Sequence, residues 1–436
     1  MILREMSAMN FESVSEKIKQ LVATVLIAVP LLFVPLSVSD DFFYAPKANA
    51  LLVFAFLYLF LLILSVKQLR KLITFDKINF WLAIYFVLLL ISLFFARDIN
   101  LAIQGKPFRK EGFITLCAYG VMFLAARSTG TLSDRIVKMF LTSGFLIACY
   151  GIMQFFGIDP FLRDSIRESW TVVFSTMGNP NFLGAYLVLI LPVSAHEYII
   201  NKNKLSLIVY TAIVLCLLMT MTRGSWIGAI VSMIVYFGFL WFNRIRYPDT
   251  LRRSVLIVIQ GAIIILGFNL LTQGIFSERF STIAGDASLL LNGGVGSEKA
   301  GSVRVFIWKR VLELIRLRPW FGYGIENLYI PFMNTYVIDI MAMFNKIVII
   351  DKAHNEYLNI AVSTGIPSLI AYLIFVSLCL RNALRKLNID PILLPITASV
   401  IGYLTQAFFN ISVVSVAYIF WIFLGILAGN LIRKSV

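Results

Sequence analysis

Eighteen consecutive residues without a charged side chain, LSLIVYTAIVLCLLMTMT at 205–222, run straight into an arginine. A bilayer core about 30 Å thick is crossed by roughly 20 apolar residues in a helix, so such windows constrain the chain more than any motif does. Others stand at 20–38, 49–66, 80–96, 112–126, 137–157, 182–200, 226–242, 255–271, 357–380, 392–409 and 412–432. Of the 436 residues, 59% are hydrophobic and 14% charged, with a mean hydropathy of +0.86. A soluble protein of this size cannot hide that much apolar surface from water. The sequence therefore predicts an all-α, polytopic integral membrane protein with about 12 transmembrane helices. It reads as a single transmembrane domain over 1–436, without a fixed-period repeat or a separate soluble domain.

In a soluble chain the net charge of +15 would point to nucleic acid. Here the basic residues gather in alternate short connections: Lys67, Arg70, Lys71 and Lys77; Arg127 and Arg135; Lys202 and Lys204. The series continues with Arg244, Arg246, Arg252 and Arg253, then Arg381, Arg385 and Lys386, and ends with Arg433 and Lys434. With twelve spans all of these share one side with both termini, and the positive-inside rule makes that side cytoplasmic. The partners this implies are membrane lipids, not nucleic acid. The connection at 97–112, with Arg97, Lys106, Arg109 and Lys110, is a basic exception on the outer side. No cleavable signal peptide is expected, because the first apolar run is too long for an h-region and lacks a small-residue cleavage site. Cys117, Cys149, Cys216 and Cys379 lie in apolar runs without pairing or ligand spacing and read as packing residues.

The longest connection, 272–356, is external on this topology, and loops of that length are usually functional. It opens with the Gly/Ser-rich GDASLLLNGGVGSEKAGS, expected to be mobile, and continues in an amphipathic helix, VRVFIWKRVLELIRLRPW, which Pro319 ends. At about 100° per residue, Arg304, Ile307, Trp308, Val311 and Ile315 share one stripe. Lys309, Arg310, Glu313 and Arg316 form the opposite face, which suits a basic helix lying at lipid headgroups. Arg304 does not suit that reading. A guanidinium turned inward asks for an anion, either a ligand or a structural ion-pair partner.

Three further stretches fall at the same boundary. In MTMTRGSWIG, 219–228, Arg223 separates two apolar windows on the side where topology asks for no cation. It is either an interfacial anchor or a planar fork for phosphate, and Gly224 would let a large ligand approach. In STMGNPNFLG, 175–184, Asn179-Pro180 marks a turn. Asn181 and free amides at the following helix N-terminus are candidates for an anion or sugar hydroxyls. FRKEGF adds Arg109 as a weaker candidate. In DKAHNEYLNIAVSTG, 351–365, His354 could take a proton near neutral pH, with Asn355 or Glu356 to orient it; the alternative is a plain helix cap. The other histidine, His196, falls at the cytoplasmic end of its window, apart from these stretches.

No metal-ligand spacing, P-loop or Ser-His-Asp pattern occurs, so neither metal nor cofactor is expected. The convergence of arginines, a base and turn amides points to an anionic, phosphate-bearing ligand handled without nucleotide at the outer leaflet.

TRGSW at 222–226, the R-x-x-x-W of Arg304 to Trp308, GYGIEN at 322–327 and HNEYL at 354–358 resemble the O-antigen ligase and Wzy-type polymerase superfamily, in motif order over about 175–410. The resemblance implies a GT-C-like, all-helical glycosyltransferase in the bacterial cytoplasmic (inner) membrane. Its donor would be an undecaprenyl-diphosphate-linked glycan and its acceptor a lipid or glycan hydroxyl, with the active site facing the periplasm. Carried over by position, Arg223 and Arg304 would bind the diphosphate. His354 would act as general base in an inverting, metal-independent transfer. Ligase-like transfer to lipid A-core leads, ahead of a polymerase joining lipid-linked repeat units and of a protein O-oligosaccharyltransferase. A membrane transporter or lipid flippase is the reading from another class. Such proteins place polar groups at the bilayer midplane, often in repeated halves.

Overall fold

The computed structural model describes residues 2–33, 43–64, 76–107, 109–130, 132–161, 173–242, 250–292, 298, 301, 303–387 and 390–429. Among these the regular structure is helical, with no strand. The helices are α1 Ile2–Ala28, α2 Ala45–Leu64, α3 Lys77–Leu93, α4 Ile99–Gln104, α5 Phe113–Thr129 and α6 Asp134–Phe155. Then come α7 Pro180–Ile199, α8 Leu205–Met219, α9 Arg223–Phe242, α10 Thr250–Leu271, α11 Ile275–Asn292 and α12 Arg304–Leu317. The last are α13 Tyr329–Phe344, α14 Glu356–Thr364, α15 Ile366–Leu384, α16 Leu393–Ala407 and α17 Ala417–Ala428.

Six of these, α2, α6, α7, α9, α10 and α15, are long and apolar enough to cross a membrane. Five shorter apolar helices, α3, α5, α8, α16 and α17, accompany them. Each of the twelve expected windows overlaps a helix. The basic residues Lys67, Arg70, Lys71, Arg244, Arg246, Arg433 and Lys434 lie outside the described residues.

Two helices form the centre. A helix apolar all round is stable only when surrounded, and both α7 and α17 meet that description: α7 is buried over nearly its whole length and every residue of α17 is buried. Asn179 caps α7 by accepting from Asn181 N at 2.9 Å, and Pro180 occupies its first turn. Around them α9 packs on α16, α5 on α17, α15 on α3, and α8 on both α6 and α7. Small residues allow the closest approach; a Cβ added at Gly184 of α7 would come within 2.3 Å of Ser225 Oγ on α9. His196 is buried at the far end of α7, with Nδ1 3.2 Å from Tyr236 Oη. All four cysteines are free.

Three expectations are corrected. The first helix starts at Ile2, well before its apolar window, because hydropathy does not register a polar helical extension. The window at 357–380 is two helices, α14 and α15. Gly365, at φ +92°, breaks it with Pro367 in the next turn, and a Cβ at Gly365 would lie 2.0 Å from Trp320 O. The connection 272–356 is folded rather than loop-like. It holds α11, α12 and α13, and the expected mobile stretch is helical as far as Asn292; residues 293–297, 299, 300 and 302 lie outside the described residues.

The polar face of α12 also makes ion pairs and a hydrogen bond. Arg310 pairs with Glu298 at 2.9 Å and Asp339 at 3.2 Å, and Tyr336 Oη donates to Glu313 at 2.7 Å. Arg310 and Glu313 thereby meet α13, while Lys309, Glu313 and Arg316 stay exposed; Phe306, Ile307, Val311, Leu314 and Ile315 join a second apolar cluster with Phe332 and Ile340.

Candidate active site

Arg223, Arg304 and His354 come from three segments that turn sharply just before presenting them. Arg223 is the first residue of α9, and Met221 before it has φ +52°. Arg304 is the first residue of α12, after Val303 at φ +68°. His354 itself has φ +50° and directly precedes the cap of α14. Left-handed backbone is rare for non-glycine residues, above all a β-branched one. Such conformations persist where the surroundings over-determine them, commonly at functional sites.

The three side chains form one electrostatic cluster. Burial, and after it the charge of Arg223, pull the pKa of Arg304 below its ordinary value, with Asp286 opposing. Burial first, then the charges of Arg304 and Arg109, push His354 down to about 4, while Asp351 pulls the other way. The imidazole is therefore neutral at pH 7. Among the described residues neither the His354 ring nor the Arg304 guanidinium has a hydrogen-bond partner. Arg223 is held by α11: its Nη1 donates to Thr282 Oγ1 at 2.8 Å and Asp286 Oδ2 at 2.6 Å. Asp286 thus acts on both guanidinium groups, and the charge of each disfavours the other unless an anion joins them.

The R-x-x-x-W spacing acquires a physical meaning. One turn beyond Arg304, Trp308 Nε1 donates to Ala353 O at 3.0 Å, pinning the peptide next to His354. The same helix face thereby supplies a charge and an anchor.

The secondary candidates are placed differently. Arg109 and Lys106 both pair with Asp351 at 2.9 Å. Burial opposes the Asp351 charge, yet those two cations hold its carboxyl at about 2. Asn355 is the cap of α14, accepting from Leu358 N at 3.1 Å, and Glu356 accepts from Ser412 N at 2.7 Å. Neither makes a hydrogen bond to the His354 ring. The amide of Asn181 is taken by Asn179 and its carbonyl accepts from Asn410 Nδ2 at 3.3 Å. Gly224 does not open the backbone to a ligand, since a Cβ there would meet Phe409 Cβ at 2.9 Å.

Sequence reading missed Asp286 and Thr282. Their four-residue spacing on one helical face was a signal, obscured because the stretch was read as mobile. It also gave no role to Glu326, whose carboxylate forms an ion pair with Lys352 in the interior.

Below Arg223 an apolar cavity of about 590 Å³ opens between α8, α9, α10 and α11. On α9 it is lined by Trp226, Ile230, Met233, Ile234 and Phe237, the stripe that Arg223 heads at helical spacing. From Trp226 to Phe237, eleven residue steps at 1.5 Å each, this apolar wall is about 16 Å long. Among the described residues no group of three or more His, Cys, Asp or Glu side chains is arranged to hold a metal ion.

Comparison with known proteins selects the same region. Residues 207–373 match the family O-Antigen ligase, a segment that contains Arg223, Arg304 and His354 but neither Asn181 nor Arg109. A general O-oligosaccharyltransferase of Acinetobacter baylyi is 23% identical over 266 residues. That alignment covers 59% of this chain and 43% of the relative, so the chain spans less than half of that protein's length. Together with the motif order, these matches support a likeness of this chain to the O-antigen ligase superfamily.

Proposed function

We propose that the protein is an O-antigen ligase-like glycosyltransferase that moves a glycan from undecaprenyl diphosphate to an acceptor hydroxyl, lipid A-core in the leading reading. The observation that carries this is the electrostatic coupling of Arg304 to both Arg223 and a neutral His354, whose ring has no hydrogen-bond partner among the described residues. The acceptor O–H gives its proton to the imidazole as its oxygen attacks the anomeric carbon. The bond from that carbon to the diphosphate oxygen breaks, its electron pair stays on the diphosphate, and the configuration inverts. The arginines neutralise the charge growing on the leaving group, so the account invokes no metal. The apolar wall below Arg223 suits the lipid carrier's chain.

In this reading twelve apolar helices cross the membrane, with both termini cytoplasmic and 272–356 external. The site then faces the periplasm. All three residues sit at helix ends or beside one rather than within a span, which favours a transferase over a transporter.

A second acceptor is favoured by one observation: the A. baylyi relative is a general O-oligosaccharyltransferase. Reconstitution with a lipid-diphosphate glycan and, in parallel, lipid A-core, a second lipid-linked repeat unit or a hydroxyl-bearing polypeptide separates these. Transfer to lipid A-core alone supports the ligase reading; transfer to another acceptor alone replaces it. Failure with every acceptor, with the donor intact, contradicts the glycosyltransferase assignment.

A further inference from the structure

The motif GYGIEN at 322–327 has no part in the chemistry above, yet it is tied to both sides of the site. Tyr323 N and Gly324 N donate to Val362 O and Ser363 O of α14, each at 2.9 Å. Asn327 accepts from Asp98 N at 2.8 Å and donates to Asp98 O at 3.0 Å, joining the turn to the start of α4. Between these attachments stands Glu326, at φ +61° and 3% exposed. Its carboxylate forms an ion pair with Lys352, itself 4% exposed and two residues before His354.

Because the His354 ring has no hydrogen-bond partner among the described residues, its direction depends on its backbone. That backbone is left-handed and must be held in place by its flanks. Ala353 O is fixed by Trp308, Asn355 by its cap, and Asp351 by partly exposed Lys106 and Arg109. The Lys352–Glu326 pair is the dehydrated anchor of the set, where charge attraction is little screened. Removing one member would strand a buried charge. The second carboxylate oxygen of Glu326, Oε2, has no partner among the described residues and adjoins a cavity of about 50 Å³ shared with Glu111, Glu356 and Asn359. The constraint on Glu326 therefore comes through Oε1 and Lys352.

We propose that Glu326 is a positioning residue for His354: through its buried pair with Lys352 it fixes the left-handed turn that holds the imidazole within reach of the Arg304 charge. This rests on His354 being the base of the transfer.

The test uses the full-length protein and three variants: Glu326→Gln, Glu326→Asp, and the charge exchange Glu326→Lys with Lys352→Glu. Since the chain has two histidines, carbon-labelled histidine gives a separately assignable His354 resonance, with His196 as internal reference. Glu326→Gln should move the His354 resonance and its titration midpoint, leave His196 and donor KM in place, and lower kcat. A misplacement near 1 Å can lower kcat about a hundredfold. Glu326→Asp keeps the charge but shortens the reach, so it should give the same pattern if the Gln variant does not fold. The exchange should recover kcat in large part. Unchanged kcat and His354 resonance in a folded Glu326 variant would overturn the proposal. If the resonance moves while His354→Ala transfers normally, the positioning stands and the base role of His354 falls.

Discussion

Trp308 donates its indole N–H to the carbonyl oxygen of Ala353 at 3.0 Å, so the helix that begins with Arg304 also fixes the residue before His354. The proposed anion site and the proposed base are therefore not independent. Ala353 is fully buried, and its carbonyl has no water to replace a lost donor.

Trp308→Phe keeps an aromatic ring against Phe408 and removes that donor. An unsatisfied buried carbonyl costs about 1–3 kcal/mol. The expected outcome is a lower melting temperature in detergent, with transfer reduced more than donor binding. Donor KM and kcat measured together check it; an equal loss in both would mean that the indole matters to the anion site instead.

The pH dependence follows from the same proximity. With its pKa at about 4, the His354 imidazole is unprotonated above that pH and gains a proton, losing base function, below it. The acidic limb of kcat/KM, which reports the free enzyme, should lie near there and well below the ordinary histidine range. Bound diphosphate would offset the Arg304 charge that helps to lower this pKa. The acidic limb of kcat should consequently lie at higher pH than that of kcat/KM. In Arg304→Gln the kcat/KM limb should also move up. Rate profiles at low and saturating donor distinguish these cases, and coincident limbs would argue that no anion lies beside Arg304.

How much of this was visible in one dimension depends on which solvent each residue meets. Lipid selects by composition, so the windows that became α2, α6, α7, α9, α10 and α15 could be read from hydropathy alone. The amphipathic and polar helices of 272–356 carry no comparable signal, and the part of α11 from Gly285 onward passed for a mobile stretch. Gly365 with Pro367 did mark the break before α15, but an uninterrupted apolar run masked it. Arg223, Arg304 and His354 could be found because charge at a membrane boundary is conspicuous. Asp286 left only its spacing from Thr282 and Glu326 left no signal, since their partners lie 63 and 26 residues away in sequence.

Arg223 and Asp286 yield a paired prediction. Arg223→Lys substitutes a point charge for a planar fork and should severely impair transfer, mainly through donor KM. Asp286→Asn removes the carboxylate that competes with diphosphate for Arg223, and should lower donor KM. Titration of each variant with lipid diphosphate checks both, and a weakened Asp286→Asn variant would show that Asp286 orients the guanidinium rather than competing for it.

The central claim is that His354 takes a proton from an acceptor hydroxyl beside a diphosphate held by Arg223 and Arg304. The most direct measurement is single-turnover transfer from a lipid-diphosphate glycan in proteoliposomes, wild type against His354→Ala, with bound donor quantified in the same samples. The account predicts that His354→Ala binds donor like the wild type but forms no product, while the wild type releases one lipid diphosphate per inverted linkage. Product formation by His354→Ala at the wild-type rate would contradict it.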